Sequence, residues 1–431
     1  MRIGRRTFLA SMTASVAGPA VLRLARAQAP QVTLKLHHFF SSVSCGHAEF
    51  LSPWARKVEA ESNGRLRVDI FPSMQLGGAP AALLDQVRDG LADIVWAVPA
   101  NTPGRFPKIE AFELPFVPSR RALVNSKALE DYAAANLQDE FRDVHPIAFS
   151  CRDHGVVHAN RAVRAIEDLK GLRLHVPNRL AGETARTLGA LPVNAPVPQL
   201  PMAITGHVID GCLDPWDLVP GLRLQDMLKF HTDFEESSLS TTPFVLAMNK
   251  ASYDRLPRDL KTVIDSNSGQ VAAGMAGAMW DLQARSVADM VRGRGDQITM
   301  LPAEDIARWR KAAEPVIAAW LKELKARKLD GGKLVASAQA SLAKYANEPE
   351  PKAQEPPQKP QPPEPQAAKP PEPKTPPQPK AVTQAPEPKA VTQTPSAPPV
   401  PQAKAATIAP QAVTPAPTAK PVPRRELDIP L

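Results

Sequence analysis

Residues 167–178 read EDLKGLRLHVPN. Glu167–Gly171 is polar and closes on a glycine, which marks a turn. Leu172, Leu174 and Val176 then alternate with Arg173 and His175, the two-residue period of a half-buried strand. Pro177 stops the strand, because it has no N–H to continue a ladder. Arg173 and His175 share one face, and His175 is the last of the two before the break. In an open α/β sheet, ligands bind at the carboxyl ends of the strands. His175 is therefore the first candidate site residue.

Outward from this stretch the pattern alternates strand and helix. Val32–Phe40 (VTLKLHHFF) alternates until it reaches an aromatic pair, and a helix is expected over about 48–62 with Phe50, Leu51, Trp54 and Val58 inward. Asn63-Gly64 ends it, glycine being free to turn left-handed. Leu66, Val68 and Ile70 form a second strand. A loop then leads through Pro80 into a helix ending near Gly90, and Asp93–Val98 is an apolar strand. Strand, helix, strand, helix, strand is an α/β lobe by pattern alone. Leu123–Arg142 reads as helix, and Ile147–Cys151 as a short strand leading to Arg152. A helix at about Leu180–Leu188 follows the opening stretch, Thr242–Met248 reads as another strand, and a broken helical region runs to Tyr345.

Charge sorts the function classes. The 431 residues carry a formal net charge of +8, which invites a nucleic-acid reading. Met1–Ala27, however, holds five arginines and no acids, and Glu348–Leu431 holds ten bases against eight acids. The stretch between them has 37 bases and 36 acids. No basic footprint is left for nucleic acid. Met1–Ala27 itself has the marks of an export signal: Arg5-Arg6-Thr7-Phe8-Leu9 resembles a twin-arginine motif, an apolar run follows, and Ala25-Arg26-Ala27 fits small-x-small cleavage. An uncut N-terminal anchor is the alternative, although the run is too short and too interrupted to span a membrane. The mature chain is expected to begin near Gln28, outside the cytoplasm. Cys45, Cys151 and Cys212 show no metal-ligand spacing, and most or all are expected to be buried thiols. Over half of the 48 prolines fall after Glu348. That segment, with KAVTQ at Lys380–Gln384 and again at Lys389–Gln393, has too few apolar residues to offset the entropy of ordering.

Several of these stretches together resemble one family. DLKGLRLHVPN is similar to a DLKGLKIRVP segment of the extracytoplasmic solute receptors of TRAP (tripartite ATP-independent) transporters, the DctP-like or C4-dicarboxylate-type family. LRVDIFPSMQLGG, DGLADI and FELPFV are laid out as in those receptors, and so are Gly189-Ala190-Leu191-Pro192 and Val208-Ile209-Asp210-Gly211. The resemblance covers about Val32–Tyr345. It implies a periplasmic binding protein-like α/β fold of two lobes, joined by hinge strands and a long connecting helix for which Ala272–Val291 is the candidate. Lobe I would be 28–151 and lobe II 152–240. Residues 241–347 would supply the crossover strand, the connecting helix and the C-terminal helices, ahead of a disordered proline-rich tail over 348–431. Pro196, Pro198 and Pro201 would shorten a helix that the family has there. The implied function is capture of a small organic solute, by default a carboxylate, for a membrane permease. The protein is then a periplasmic monomer with no cofactor, no bound metal and no catalytic residue.

The resemblance also implies site residues. His175 falls where the family has an arginine that clamps the substrate carboxylate. Pro177 and Asn178 fall on the ligand-contacting segment after it, and Asp214 on a polar contact position. A second arginine of some members belongs near Gly155; Arg152 is three residues away. Arginine grips carboxylate with a fixed, always-charged fork, whereas histidine offers one donor and a charge that depends on pH. This departure makes a neutral or cationic solute an alternative to a carboxylate, or else a geometry using Arg152, Arg173 or Arg179. Phe39, Trp96 and Trp216 are candidate ring-binding aromatics, and core packing is the competing role for each. His37, His38, His145, His154 and His158 invite a metal reading, but no HExxH or carboxylate frame accompanies them. An exported enzyme, and a cell-envelope scaffold built on the proline-rich tail, are the rival classes.

Overall fold

The computed structural model describes residues 30–235 and 237–352. The export-signal expectation and most of the proline-rich segment lie outside the described residues. In chain order the elements are β1 (Val32–His38), α1 (Ser52–Glu61), β2 (Leu66–Phe71), α2 (Leu83–Arg88), β3 (Ile94–Ala97), α3 (Ala122–Asn136) and β4 (His145–Cys151). Then come β5 (Val156–Ala159), β6 (Arg173–His175), α4 (Arg179–Thr187), β7 (Leu191–Val193), α5 (Leu200–Thr205), β8 (Gly211–Asp214), α6 (Leu218–Gly221) and β9 (Phe230–Phe234). The chain closes with β10 (Pro243–Met248), α7 (Lys250–Asp254), α8 (Arg258–Ser266), α9 (Gln270–Gly293), β11 (Gln297–Leu301), α10 (Ala303–Ala326) and α11 (Gly331–Tyr345).

These strands make two sheets. The first has the order β2-β1-β3-β10-β4, parallel from β2 to β3 and antiparallel on both sides of β10. The second has the order β11-β9-β5-β8-β6-β7, in which β8, β6 and β7 run parallel. The chain crosses between them at 152–155 and again at 237–242, where Arg152 and Gly155 donate their N–H groups to the carbonyls of Thr242 and Ser240 at 3.0 and 2.7 Å. Gly155 is required by that close approach, since a Cβ there would sit 2.3 Å from Ser240 Oγ. A larger residue at this position would have to displace the Ser240 hydroxyl.

Two long helices bridge the sheets. The first half of α9 buries Ala272, Ala276 and Trp280 in the core of the first sheet, and its second half buries Ala284, Val287 and Val291 against the second. Helix α10 does the reverse: Ile306, Trp309 and Ala313 pack with the second sheet, and Val316, Trp320 and Leu324 with the first. Pro315 lies where α10 changes allegiance. Each fully buried aromatic side chain contributes roughly 1.5–3 kcal/mol, so the helices tie the halves together strongly. As expected from the prolines, α5 is a single short piece. Cys45, Cys151 and Cys212 are all free thiols, though Cys45 is only half-buried. No helix among the described residues is long and apolar enough to cross a membrane.

Candidate functional site

Strands β6 and β8 run parallel, with Leu174 opposite Gly211 and His175 opposite Cys212. On its other side β8 pairs with β5, and the close approach there depends on Gly211, because a Cβ would meet the His158 carbonyl at 2.1 Å. His175 and Asp214 thus stand at the carboxyl ends of neighbouring strands. Both are buried, and His175 Nδ1 donates to Asp214 Oδ2 at 2.8 Å. Burial disfavours charge on His175, but the Asp214 carboxylate and its hydrogen bond outweigh burial and raise the imidazole above its ordinary value. The Ala195 carbonyl favours the charged form as well. The histidine in the clamp position is therefore already partnered.

Arg152 leads out of β4 into the first crossing. Its Nε and Nη2 donate to both oxygens of Asp217, at 2.9 and 2.6 Å. This two-pronged grip fixes the guanidinium plane. The cation lies over two rings, 5.5 Å from the centre of Trp280 and 5.9 Å from that of Phe40. Its Nη1 has no hydrogen-bond partner among the described residues. Asp214 is near enough to help hold the charge on Arg152, so the histidine–aspartate pair and the arginine belong to one neighbourhood. Beside them Asp153 accepts the Trp216 backbone N–H at 3.0 Å, while its Oδ1 is buried without a partner. Burial, then the charge of Asp217, pushes the Asp153 carboxyl well above the usual carboxylate range.

The aromatic candidates separate. Phe39 stacks on Phe40 at 4.3 Å, and both are only half-buried. Trp96 lies one layer deeper, fully buried among Phe40, Phe50, Phe244 and Trp280. Trp216 is fully buried in the other half, edge-on to His158 at 5.0 Å. Asn178 caps α4 by accepting the Ala181 N–H at 2.8 Å, and its Nδ2 is buried without a partner. Pro177, just before it in the chain, is half-buried. Arg173 and Arg179 are occupied, Arg173 by Asp210 and Arg179 by Glu110 and Glu183.

The histidines that invite a metal find other partners. His37 bonds to Gln86, His38 lies 3.0 Å from His47, His154 donates to Asp233 at 2.7 Å, and His158 shares a proton with His231 across 2.7 Å. Among the described residues, no group of three or more His, Cys, Asp or Glu side chains is gathered as metal ligands would be. Phe40, Trp280, Asp153 and Asp217 are the neighbours that the sequence reading did not select. Phe40 stands in the aromatic pair just after β1, and Asp217 three residues after Asp214, so both had a local signal. Trp280 had none.

Residues 37–323 match the family model of the bacterial extracellular solute-binding proteins, family 7 (DctP). The chain belongs to this family. Its fold is shared with a TRAP solute-binding protein from Rhodoferax ferrireducens in complex with copurified benzoate, at 37% identity and a TM-score of 0.70, over 73% of this chain and 98% of that one. A marine metagenome TRAP solute-binding protein specific for aromatic acid ligands, in complex with 3-hydroxybenzoate, is 39% identical with a TM-score of 0.70, over 74% and 99% of the two chains. A Bordetella bronchiseptica TRAP protein with bound (R)- and (S)-mandelate is 26% identical, with a TM-score of 0.66 over 73% and 99%. The family-7 chain described here is thus a TRAP-type receptor of the two-lobed periplasmic binding fold. It captures a small organic solute outside the cytoplasm.

Proposed function

We propose that the solute is a small aromatic carboxylate and that its carboxylate docks on the open Nη1 edge of Arg152. One observation carries this reading: the guanidinium is oriented by Asp217, backed by Phe40 and Trp280, and has donors to spare. Phe39 and Phe40 offer ring faces beside it. His175 and Asp214, hydrogen-bonded to each other, wall the site. Pro177 and Asn178 complete the rim, and Trp96 and Trp216 hold the two halves of the site from behind. The relatives that bind benzoate and 3-hydroxybenzoate support the same ligand class.

In this reading lobe I (28–151) and lobe II (152–240) close on the solute about the two crossings, with 241–347 carrying the connection. The monomeric receptor then delivers its solute to the membrane permease of a TRAP transporter. Met1–Ala27 directs export by the twin-arginine route. Binding is electrostatic and steric, with no bond chemistry.

A thermal-shift screen of the secreted chain tests the ligand class. Benzoate or 3-hydroxybenzoate at a hundred times its dissociation constant should stabilise the fold by about 2.7 kcal/mol. Benzamide, which keeps the ring and loses the charge, and succinate, which keeps the charge and loses the ring, should do much less. Stabilisation by benzylamine without stabilisation by benzoate overturns the reading.

A further inference from the structure

The C-terminal helix α11 ends at Tyr345, yet the chain does not leave the body there. Glu348-Pro349-Glu350-Pro351 lies along α3 and α9, held by three cations. Arg121 donates from Nη1 to the Glu348 carbonyl at 2.6 Å and from Nη2 to the Pro349 carbonyl at 3.0 Å. Lys127 pairs with the Glu348 carboxylate. Arg285 pairs with Glu350 at 2.6 Å and also donates to the Pro351 carbonyl. Proline has no N–H to satisfy, so a proline-bearing segment presents carbonyls, and arginine supplies donors in a fork that reaches two of them.

The place of this contact matters. Arg121 is the residue before α3, and Arg120 next to it pairs with Asp233 at the end of β9 in the second sheet. Asp281 of α9 accepts the first N–H groups of α3, those of Ala122 and Leu123. Arg285 stands one turn beyond Asp281, in the part of α9 where Ala284 and Val287 face the second core. Ser119 bridges Ser237 of the second crossing a few residues away. The segment therefore ties the start of α3, on the first sheet, to the half of α9 that serves the second.

We propose that Arg121, Lys127 and Arg285 form a binding groove for an acidic, proline-bearing peptide, and that Glu348–Pro351 occupies it as a strap across the hinge. The chemistry the groove recognises is a carboxylate every second residue with free carbonyls between. Glu-Pro recurs downstream at Glu355-Pro356, Glu364-Pro365, Glu372-Pro373 and Glu387-Pro388. The strap gives the proline-rich segment a fixed root at the hinge, so the segment and lobe closure share one set of contacts. This last consequence rests on the receptor reading above; the groove does not.

Charge exchange in the full chain tests it. Amide hydrogen exchange is followed, without ligand, over residues 119–127 and 281–288 in Arg285→Glu, Glu350→Arg and the double variant. Each single variant should exchange faster on the order of fivefold in these stretches, and the double variant should return toward the parent. High salt should erase the difference between parent and single variants. Parent-like exchange in both single variants, or no recovery in the double, overturns the strap. Benzoate affinity is then measured on the same proteins. A change in the single variants that the double reverses supports coupling to closure, and unchanged affinity with faster exchange removes the coupling and keeps the groove. If benzoate does not bind the parent chain, the ligand reading fails while the exchange result stands.

Discussion

At the centre of the first sheet, β1, β3 and β10 bury Leu36, Trp96 and Phe244, and the rings of Phe50 and Trp280 close over them. At the same depth in the second sheet, β5, β6, β8 and β9 bury His158, His175, Asp214, His231 and Asp233. Both halves have apolar cores, but the second adds a set of buried polar groups hydrogen-bonded to one another. The two respond differently to change. Apolar packing loses stability with volume and is indifferent to pH. A buried polar network loses it whenever one partner goes missing, because the other is left desolvated. The ligand-facing groups also differ: the first sheet supplies rings, and the second, with the crossing at Arg152, supplies the fixed charges.

The largest effect expected from breaking this contrast is in the rings. Trp96→Ala should cost about 4 kcal/mol, read as a lower midpoint in urea unfolding. A small loss of stability together with a large loss of benzoate affinity would instead make Trp96 a ligand contact. Asp233→Ala should cost about 3 kcal/mol, because it strands both His154 and Arg120; the same measurement checks it.

The third effect is a pH dependence, and it belongs to the first half. Burial raises the Glu130 carboxyl to about 7, against an ordinary value near 4.3. Between those values the folded state binds more protons than the unfolded, so stability falls as pH rises through that window. Glu130→Gln keeps an acceptor for the Phe149 N–H and should stabilise the protein at pH 8 by on the order of 2 kcal/mol, with little gain at pH 4. The smallest effect is at His175. Its value is raised on folding, so its contribution is full below the ordinary histidine value of about 6.5 and is lost as pH rises through the folded-state value. Urea midpoints of parent and His175→Gln should converge at alkaline pH, the gap at acid pH being about 1 kcal/mol.

The same contrast explains what could be read in the sequence. Strands β1, β2, β3, β4 and β10 were legible to within two or three residues, because Leu34, Leu66, Val68, Val95 and Val245 keep the apolar pattern of buried strands. In the second sheet only β6 was legible. Strands β5, β7, β8, β9 and β11 are three to five residues long, and His158, Asp214, His231 and Asp233 put polar atoms where alternation calls for apolar ones. Such strands close through partners far away in the chain, which no local window contains. The site follows suit. His175 and Asp214 stood out by resemblance to a family pattern, but their mutual pairing did not. Arg152 was in view, while Asp217, the residue that aims it, lies 65 positions further on. Helices read well, except at their ends: the first begins with a wide turn at Gly46, and Leu123–Arg142 stops short at Asn136.

Pro315 sits inside α10 between Ala313, which is locked into one core, and Val316, which is locked into the other. Having no N–H, it leaves the Lys311 carbonyl without its rung of the helical ladder. The helix is thus stiff on either side and compliant at one known residue. A beam weakened at one place bends there, and neither buried half has to repack when it does. Pro315→Ala would restore the rung and make the beam uniform, so that motion between the halves would meet a stiffer spring while the resting shape stayed the same.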